Sequence, residues 1–515
     1  MFANSKLHYY SITAAIAAAV GLLTVFVATG FVFSSDNPVS KSAMLIGGIF
    51  LLIGAIEPRR MLVLLVPITF YLDGVKRLLI VTGRTGLSDV TTVLAVAPLA
   101  TVGVIIGCVI RKIFVKKPPE PVERLAIFGA LGAFVAFGGT EIFTAGDLLY
   151  GLKTAANTTV YFLLPWAVLQ CFRTREEIER FLRFSLIVGL PVALYGIWQY
   201  CMGLSSFEVA YLKSGLSTVG EINLDDIRPR PFSTLASPHP YVCVMSFMLV
   251  LSAHFAFTWK GQRRNWKGVW IFVIYAVGLV LSMARGATLT GFGMLIYAKL
   301  FRTKSGVGIA YGMSAAIIGG LIFFAKPLLE SLDMLQTYLP GGADWKEQAF
   351  RLGTISDRLM GFENVLGNPS NWPLFANPFK FNSFRGFSAG DAQYSHDLFS
   401  QMILRIGAIP VFLGMCLGMF IVWRAHRAIL LLPAGKTGSR PLAARLMAIL
   451  IVFIFSQMGG SGMTVFPINF WLGMLTGIVT IICLRPGTTN EKALKTEGIA
   501  GHGLVVAVPA RAGGT

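Results

Sequence analysis

The reactive chemistry open to this sequence rests on one histidine and a few arginines. His396 stands in "DAQYSHDLFSQMILRIGAIP", between a long polar stretch and an apolar run. An imidazole at a helix N-terminus is favoured in its neutral form, and a neutral imidazole is a competent general base near neutral pH. The other reading is a polar residue that merely opens a helix. A helix starting at about 395 or 396 would carry Ser400, Ile403, Gly407 and Gly414 on or near the histidine's face, the small residues among them permitting close helix contact.

The arginines are Arg228 and Arg230 in "DDIRPRPFSTLASPHPYV", Arg285 in "LSMARGATLTG", Arg351 and Arg358 in "FRLGTISDRLMGFENVLG", and Arg405 in the helix expected after His396. A guanidinium is always charged and forks onto phosphate oxygens, so several around one cavity would suit a diphosphate. Local pairing is the alternative, since Asp225 and Asp226 lie beside Arg228 and Asp357 beside Arg358. Arg285 has no acid nearby in sequence, and at a membrane edge an arginine needs a partner or a wet cavity.

Other chemistries find little footing. No HExxH, GxSxG or glycine-rich phosphate loop is present. Six cysteines are scattered singly with no CxxC pair, which implies neither a metal site nor a disulfide framework. His8, His254, His426 and His502 read as solvated or interfacial, and His239 in "SPHPY" as part of a turn. Acids are nearly absent from the apolar runs, with Glu141, Asp147 and Asp397 at their edges, which disfavours an ion-coupled transporter.

The elements that carry these residues are membrane helices. The chain has 515 residues, 55% of them hydrophobic and 13% charged, and a mean hydropathy of +0.68, far too apolar for a soluble globule. The expected fold is an all-α polytopic transmembrane bundle. Apolar runs place spans near 11–33, 42–57, 60–72, 89–110, 123–141, 149–170, 181–202, 238–258, 268–284, 287–301, 306–325, 397–423, 443–462 and 466–484, with twelve as the alternative count. The first run exceeds a signal-peptide core and lacks a cleavage site, so it reads as a retained span. Residues 1–325 then form a bundle of eleven spans with an outer loop near 203–237, 326–396 a large outer loop, 397–484 three more spans, and 485–515 a disordered tail.

Alternating these spans puts 28 Lys and Arg with 8 acids on one side, and 16 basic with 17 acidic residues on the other. The positive-inside rule makes the first side cytoplasmic, with both termini there and both long loops outside. The basic loops are short and lack interleaved aromatics, so the excess charge reflects orientation and contact with anionic membrane lipids rather than nucleic acid.

Four stretches together resemble the O-antigen ligase and O-antigen polymerase superfamily of bacterial envelope glycosyltransferases: "RPRPFSTLASPHPYV", "LSMARGATLTG", "SDRLMGFENVLGNP" and "SHDLFSQMILRIGAIP". The resemblance covers roughly residues 180 to 424. The last stretch fits a ligase-type pattern of histidine, polar residue, nine residues and glycine, at His396, Asp397 and Gly407. The family usually has Asn, Ser or Gln where this chain has Asp397.

The resemblance implies a GT-C-like bundle in the bacterial inner membrane with its active site facing the periplasm. The donor would be a glycan on undecaprenyl pyrophosphate, and the acceptor a saccharide. Arg285 and Arg358 would hold the pyrophosphate, with Arg228 and Arg230 as further donor contacts and Asp397 and Arg405 as supporting residues. His396 would take the acceptor's proton. The reaction would be inverting and need no metal or other cofactor, and a chain-length regulator is a further expected partner. Asp397 and the large outer loop favour a polysaccharide polymerase, acting on O-antigen or exopolysaccharide, over an O-antigen ligase acting on lipid A–core. A lipid-linked oligosaccharide flippase, which would not need a base, is the alternative from another class.

Overall fold

The computed structural model describes residues 38–83, 87–115, 119–139, 155, 157, 159–216, 230–256, 265–317, 373–375, 402–403, 407–433, 439–456 and 465–484, and among them every regular element is helical. In chain order these are α1 (Pro38–Ile56), α2 (Pro58–Val81), α3 (Leu87–Leu94), α4 (Val96–Val115), α5 (Pro121–Ala133), α6 (Leu164–Cys171), α7 (Arg175–Met202), α8 (Ser206–Lys213), α9 (Pro238–Ala256), α10 (Trp266–Val280) and α11 (Arg285–Leu300). There follow α12 (304–317), α13 (Ala408–Leu431), α14 (Ser439–Ser456) and α15 (Ile468–Leu484).

Six stretches within these helices are long and apolar enough to cross a bilayer, among them Asp89–Phe114, which runs through α3 and α4, and three shorter helices are also apolar. The chain is therefore a multi-pass helical membrane protein. α9 and α14 are mostly enclosed by neighbours, whereas the apolar side chains of α13, such as Phe412, Leu413 and Met419, are exposed. A helix that is apolar and outward-facing is covered by lipid in a membrane protein.

Cross-contacts set which helix ends lie together. At one end Arg59 pairs with Glu177 at 2.8 Å, Lys112 with Glu123 at 2.7 Å, and Arg175 reaches Ser439 at 3.4 Å. At the other end Ser40 donates to Asp89, Arg77 to the carbonyls of Ser233 and Leu235, and Tyr195 to Glu208. Each pair joins positions that the alternating topology puts at one level. We call them the basic end and the far end.

α1 and α4 run parallel and touch through glycine. A Cβ on Gly103 would land on the Leu51 carbonyl oxygen, and one on Gly54 would lie 2.7 Å from the Val104 nitrogen. Small residues let helix backbones approach where lipid supplies no hydrophobic drive between helices. Gly103→Ala is expected to cost about 1–3 kcal/mol by forcing these backbones apart. Thermal unfolding in detergent checks it against Gly129→Ala, whose Cβ meets nothing within 4 Å; equal stability of the two variants would defeat the packing claim.

Three sequence expectations change. The short third span, 60–72, is part of a 24-residue helix, α2, that begins with Pro at its first position and continues through Asp73, Lys76 and Arg77 to Val81. In residue order its charged turn reads as loop. Second, the outer loop near 203–237 is partly structured and partly buried: α8 starts with a Ser205–Glu208 capping box, and residues 230–237 pack into the bundle. Third, the span expected over 397–423 is not continuous across Gly407. That residue has φ 95° and caps α13, which runs on to Leu431. The positive φ suits glycine and breaks the helix, so Gly414 belongs to a different helix from any turn at 396. The freed N–H groups of Ala408 and Ile409 donate to the carbonyls of Pro373 and Leu374, at 2.8 and 3.2 Å, so these two residues seal this helix start.

Candidate functional site

The far end of the bundle is built around the segment 230–237, which continues directly from Arg228 and Arg230. This segment lacks regular secondary structure yet carries Phe232, Ser233 and Leu235 fully buried. Irregular backbone at such depth is tolerated where protein groups satisfy it. Here they come from α2 and α7. Arg77 donates to the Ser233 carbonyl at 2.5 Å and to the Leu235 carbonyl. Gln199 Oε1 accepts from the Phe232 and Ser233 N–H groups at 3.1 and 2.6 Å. Ser233 Oγ donates to the Val192 carbonyl at 2.7 Å and Thr234 Oγ1 to that of Phe70 at 2.6 Å. Ser233 has φ 52°, a left-handed conformation held in place by these four anchors.

Charge is balanced around the same anchors. The Arg77 guanidinium lies 4.4 Å from the Phe232 ring centroid and 5.7 Å from that of Tyr211, within the fields of Asp73 and Glu208. Lys76 pairs with Asp73 at 2.8 Å. Glu208 accepts from Tyr195 at 2.9 Å, from Gln199, and from the Ser205 N–H at 2.9 Å. Lys76 and Arg77 are 2% and 1% exposed, too enclosed to meet a ligand arriving from outside. They position the segment that follows Arg230, and the half-buried Arg230 stands at its edge.

The α10–α11 hairpin sits at the same end. Tyr241 Oη donates to the Gly278 carbonyl at 3.4 Å, and Ser246 Oγ to that of Ala287 at 3.4 Å. A Cβ on Gly196 would strike the Tyr241 hydroxyl, so α7 and α9 meet closely just beneath the segment. α11 begins at Arg285, after a turn in which Met283 has φ 57° and Thr288 Oγ1 donates to the carbonyls of Ala284 and Leu279 at 3.1 and 3.2 Å. The backbone of Arg285 is thus fixed at the first turn of a far-end helix, as its tight-hairpin position implied.

His396, Asp397, Arg405, Arg358 and Arg228 lie outside the described residues, as does the side chain of Arg285. Two histidines read as solvated or interfacial are in fact enclosed. His254 is 2% exposed and touches Arg445, and His426 is 2% exposed against Phe301 and Tyr311. Packing against helices distant in sequence covers both. His239, read as part of a turn, stands in the first turn of α9, 3.7 Å from Cys243 Sγ. Among the described residues no three His, Cys, Asp or Glu side chains gather as metal ligands would.

Sequence reasoning missed Lys76, Arg77, Gln199 and Glu208. The signal for the first two was present: "GVKR" is basic on the acid-balanced side of the alternation, the same anomaly that singled out Arg285. Nothing local marked Gln199, whose partners are 33 and 34 residues away. No family model matches the chain, and no curated protein matches it.

Proposed function

We propose that this protein is an inner-membrane glycosyltransferase that moves a glycan from undecaprenyl pyrophosphate to a saccharide acceptor on the far face of the bundle, as a polysaccharide polymerase. The support comes from the four sequence stretches and, above all, from one structural feature: residues 230–237 are anchored into the far end, where α11 also begins at Arg285. Two of the arginine-bearing stretches thereby share one end of the molecule, opposite the basic loops.

In this reading the acceptor hydroxyl attacks the anomeric carbon as His396 takes its proton, and undecaprenyl pyrophosphate leaves with the bonding pair. Arginines placed beforehand at the departing diphosphate stabilise the charge that develops there. In this reading Arg285 and Arg358 take that role, with Arg228 and Arg230 as further donor contacts. By the positive-inside rule the far face is the periplasmic one in this reading.

Purified protein supplied with a synthetic lipid-pyrophosphate glycan is expected to produce a ladder of longer lipid-linked chains. Attachment to added lipid A–core instead would replace polymerase with ligase. Absence of any transfer, with movement of intact donor across vesicle bilayers, would replace both with a flippase.

A further inference from the structure

At the basic end, helix termini meet around a group of arginines, two of which, Arg302 and Arg445, have no carboxylate partner among the described residues. Arg445, in the second turn of α14, is 8% exposed, donates to the Pro441 carbonyl at 3.1 Å and the Ala253 carbonyl at 3.5 Å, and lies 3.3 Å from His254 Nδ1. Arg302, in the turn after α11, is within Coulombic reach of both Arg445 and His254, and its Nε is enclosed with no hydrogen-bond partner. Arg175 and Arg183 of α7 also act on His254. Arg183 stands 5.1 Å over the Phe255 ring.

Arg175, Arg183, Arg302 and Arg445 thus all act on His254, and among the described residues one carboxylate, Glu179, is ion-paired with any of them, at 2.8 Å from Arg175 and 3.3 Å from Arg183. Arg302 and Arg445 have no such partner there. The adjoining stretches 257–264 and 434–438 contain no Asp or Glu and add further basic residues. Burial lowers the Arg302 pKa, yet a guanidinium keeps its charge, and desolvated cations of one sign repel unless an anion joins them.

The surroundings indicate which anion. Trp266, at the start of α10, is 60% exposed, and Asn265 beside it donates to the Phe255 carbonyl at 3.0 Å. An outward tryptophan at a helix end marks the headgroup layer. The cluster therefore lies at headgroup depth, with Arg183 exposed and Arg302 half-exposed, where basic groups between helices take lipid phosphates.

We propose that Arg302 and Arg445, with Arg183 at the rim, bind the phosphate of an anionic phospholipid headgroup at the basic end of the bundle. The bound lipid would tie together α7, α9, α11 and α14. This site is independent of the transfer chemistry proposed for the far end.

The test uses the full chain purified in neutral detergent, with its unfolding temperature followed as phosphatidylglycerol, phosphatidylcholine or inorganic phosphate is added. Phosphatidylglycerol is expected to stabilise the protein saturably and the other two to leave it unchanged. Arg302→Gln should weaken the apparent phosphatidylglycerol affinity about five- to tenfold, and Arg302→Gln with Arg445→Gln should abolish the effect. Arg60→Gln, which removes an exposed arginine at the same end, should leave it intact. If the double variant does not fold, the half-exposed Arg302 decides alone. Equal phosphatidylglycerol affinity in wild type and Arg302→Gln would overturn the site. So would an equal response to phosphatidylcholine. Stabilisation by inorganic phosphate that competes with phosphatidylglycerol would overturn the lipid as occupant in favour of a free anion.

Discussion

His396→Ala is expected to lower glycan transfer about 100- to 10,000-fold, the range over which a positioned general base contributes. Donor binding should change little, because the diphosphate would be held by arginines rather than by the imidazole. The separation is measurable: kcat falls while the KM for a lipid-pyrophosphate donor stays within a few-fold. The wild-type rate should rise with pH through the histidine's ionisation, since the neutral ring is the form that accepts a proton. In His396→Ala that limb disappears. Arg285→Ala and Arg358→Ala should behave oppositely to one another only if one of them is misassigned; as paired diphosphate ligands both should lose kcat, because the charge they meet grows in the transition state. Normal turnover by His396→Ala would remove the general base from the mechanism.

Arg77→Met is expected to destabilise the protein by about 3–5 kcal/mol, the usual consequence of deleting one partner from a buried charged network. The carbonyls of Ser233 and Leu235 lose their donor, and Asp73 and Glu208 lose a nearby cation. Methionine fills the space over Phe232 without replacing any of these interactions. Arg77→Lys should recover only part of the loss, because an ammonium cannot fork to two carbonyls while lying flat on a ring. Thermal unfolding in detergent reads the stability, and proteolysis between 217 and 240 reads release of the segment. If Arg77→Met unfolds at the wild-type temperature, the anchor around 230–237 is not what holds the far end together. If instead the fold survives but transfer is lost, Arg77 acts by placing Arg228 and Arg230, a positioning role.

Much of the framework was legible in residue order because it depends on local sums. Hydropathy over about twenty residues marks a membrane helix wherever it packs, and alternating basic segments order the ends. The ends brought together by Arg59–Glu177, Lys112–Glu123 and Ser40–Asp89 follow that alternation. The hairpin before Arg285 was equally visible, since two apolar runs separated by "MARG" leave room only for a tight turn.

Where the local sum misleads, a distant partner is responsible. Asp73, Lys76 and Arg77 make the outer half of α2 look like loop, but the acid and the lysine neutralise each other and the two terminal nitrogens of the arginine donate to carbonyls 156 and 158 residues away. A polar loop expected at 203–237 turned partly into bundle wall for the same reason. His254 and His426 could be assigned an end from sequence, but their burial depended on Arg445 and Phe301, on helices reached only after the chain turns back. In residue order Gly407 is one small residue on a helical stripe; its positive φ ends the helix, and the carbonyls that accept the next two N–H groups come from residues 373 and 374.

By itself, then, residue order determined that this is a helical membrane protein, which ends of its helices share a level, and which arginines stand apart from the basic loops. Those properties are additive along the chain. Only the tertiary structure decided that Arg77 and Gln199 hold the segment after Arg230, and that Arg302 and Arg445 come within each other's field with no carboxylate paired to either among the described residues. Such pairings depend on satisfying buried charge and backbone across helices, and no local window of sequence contains both partners.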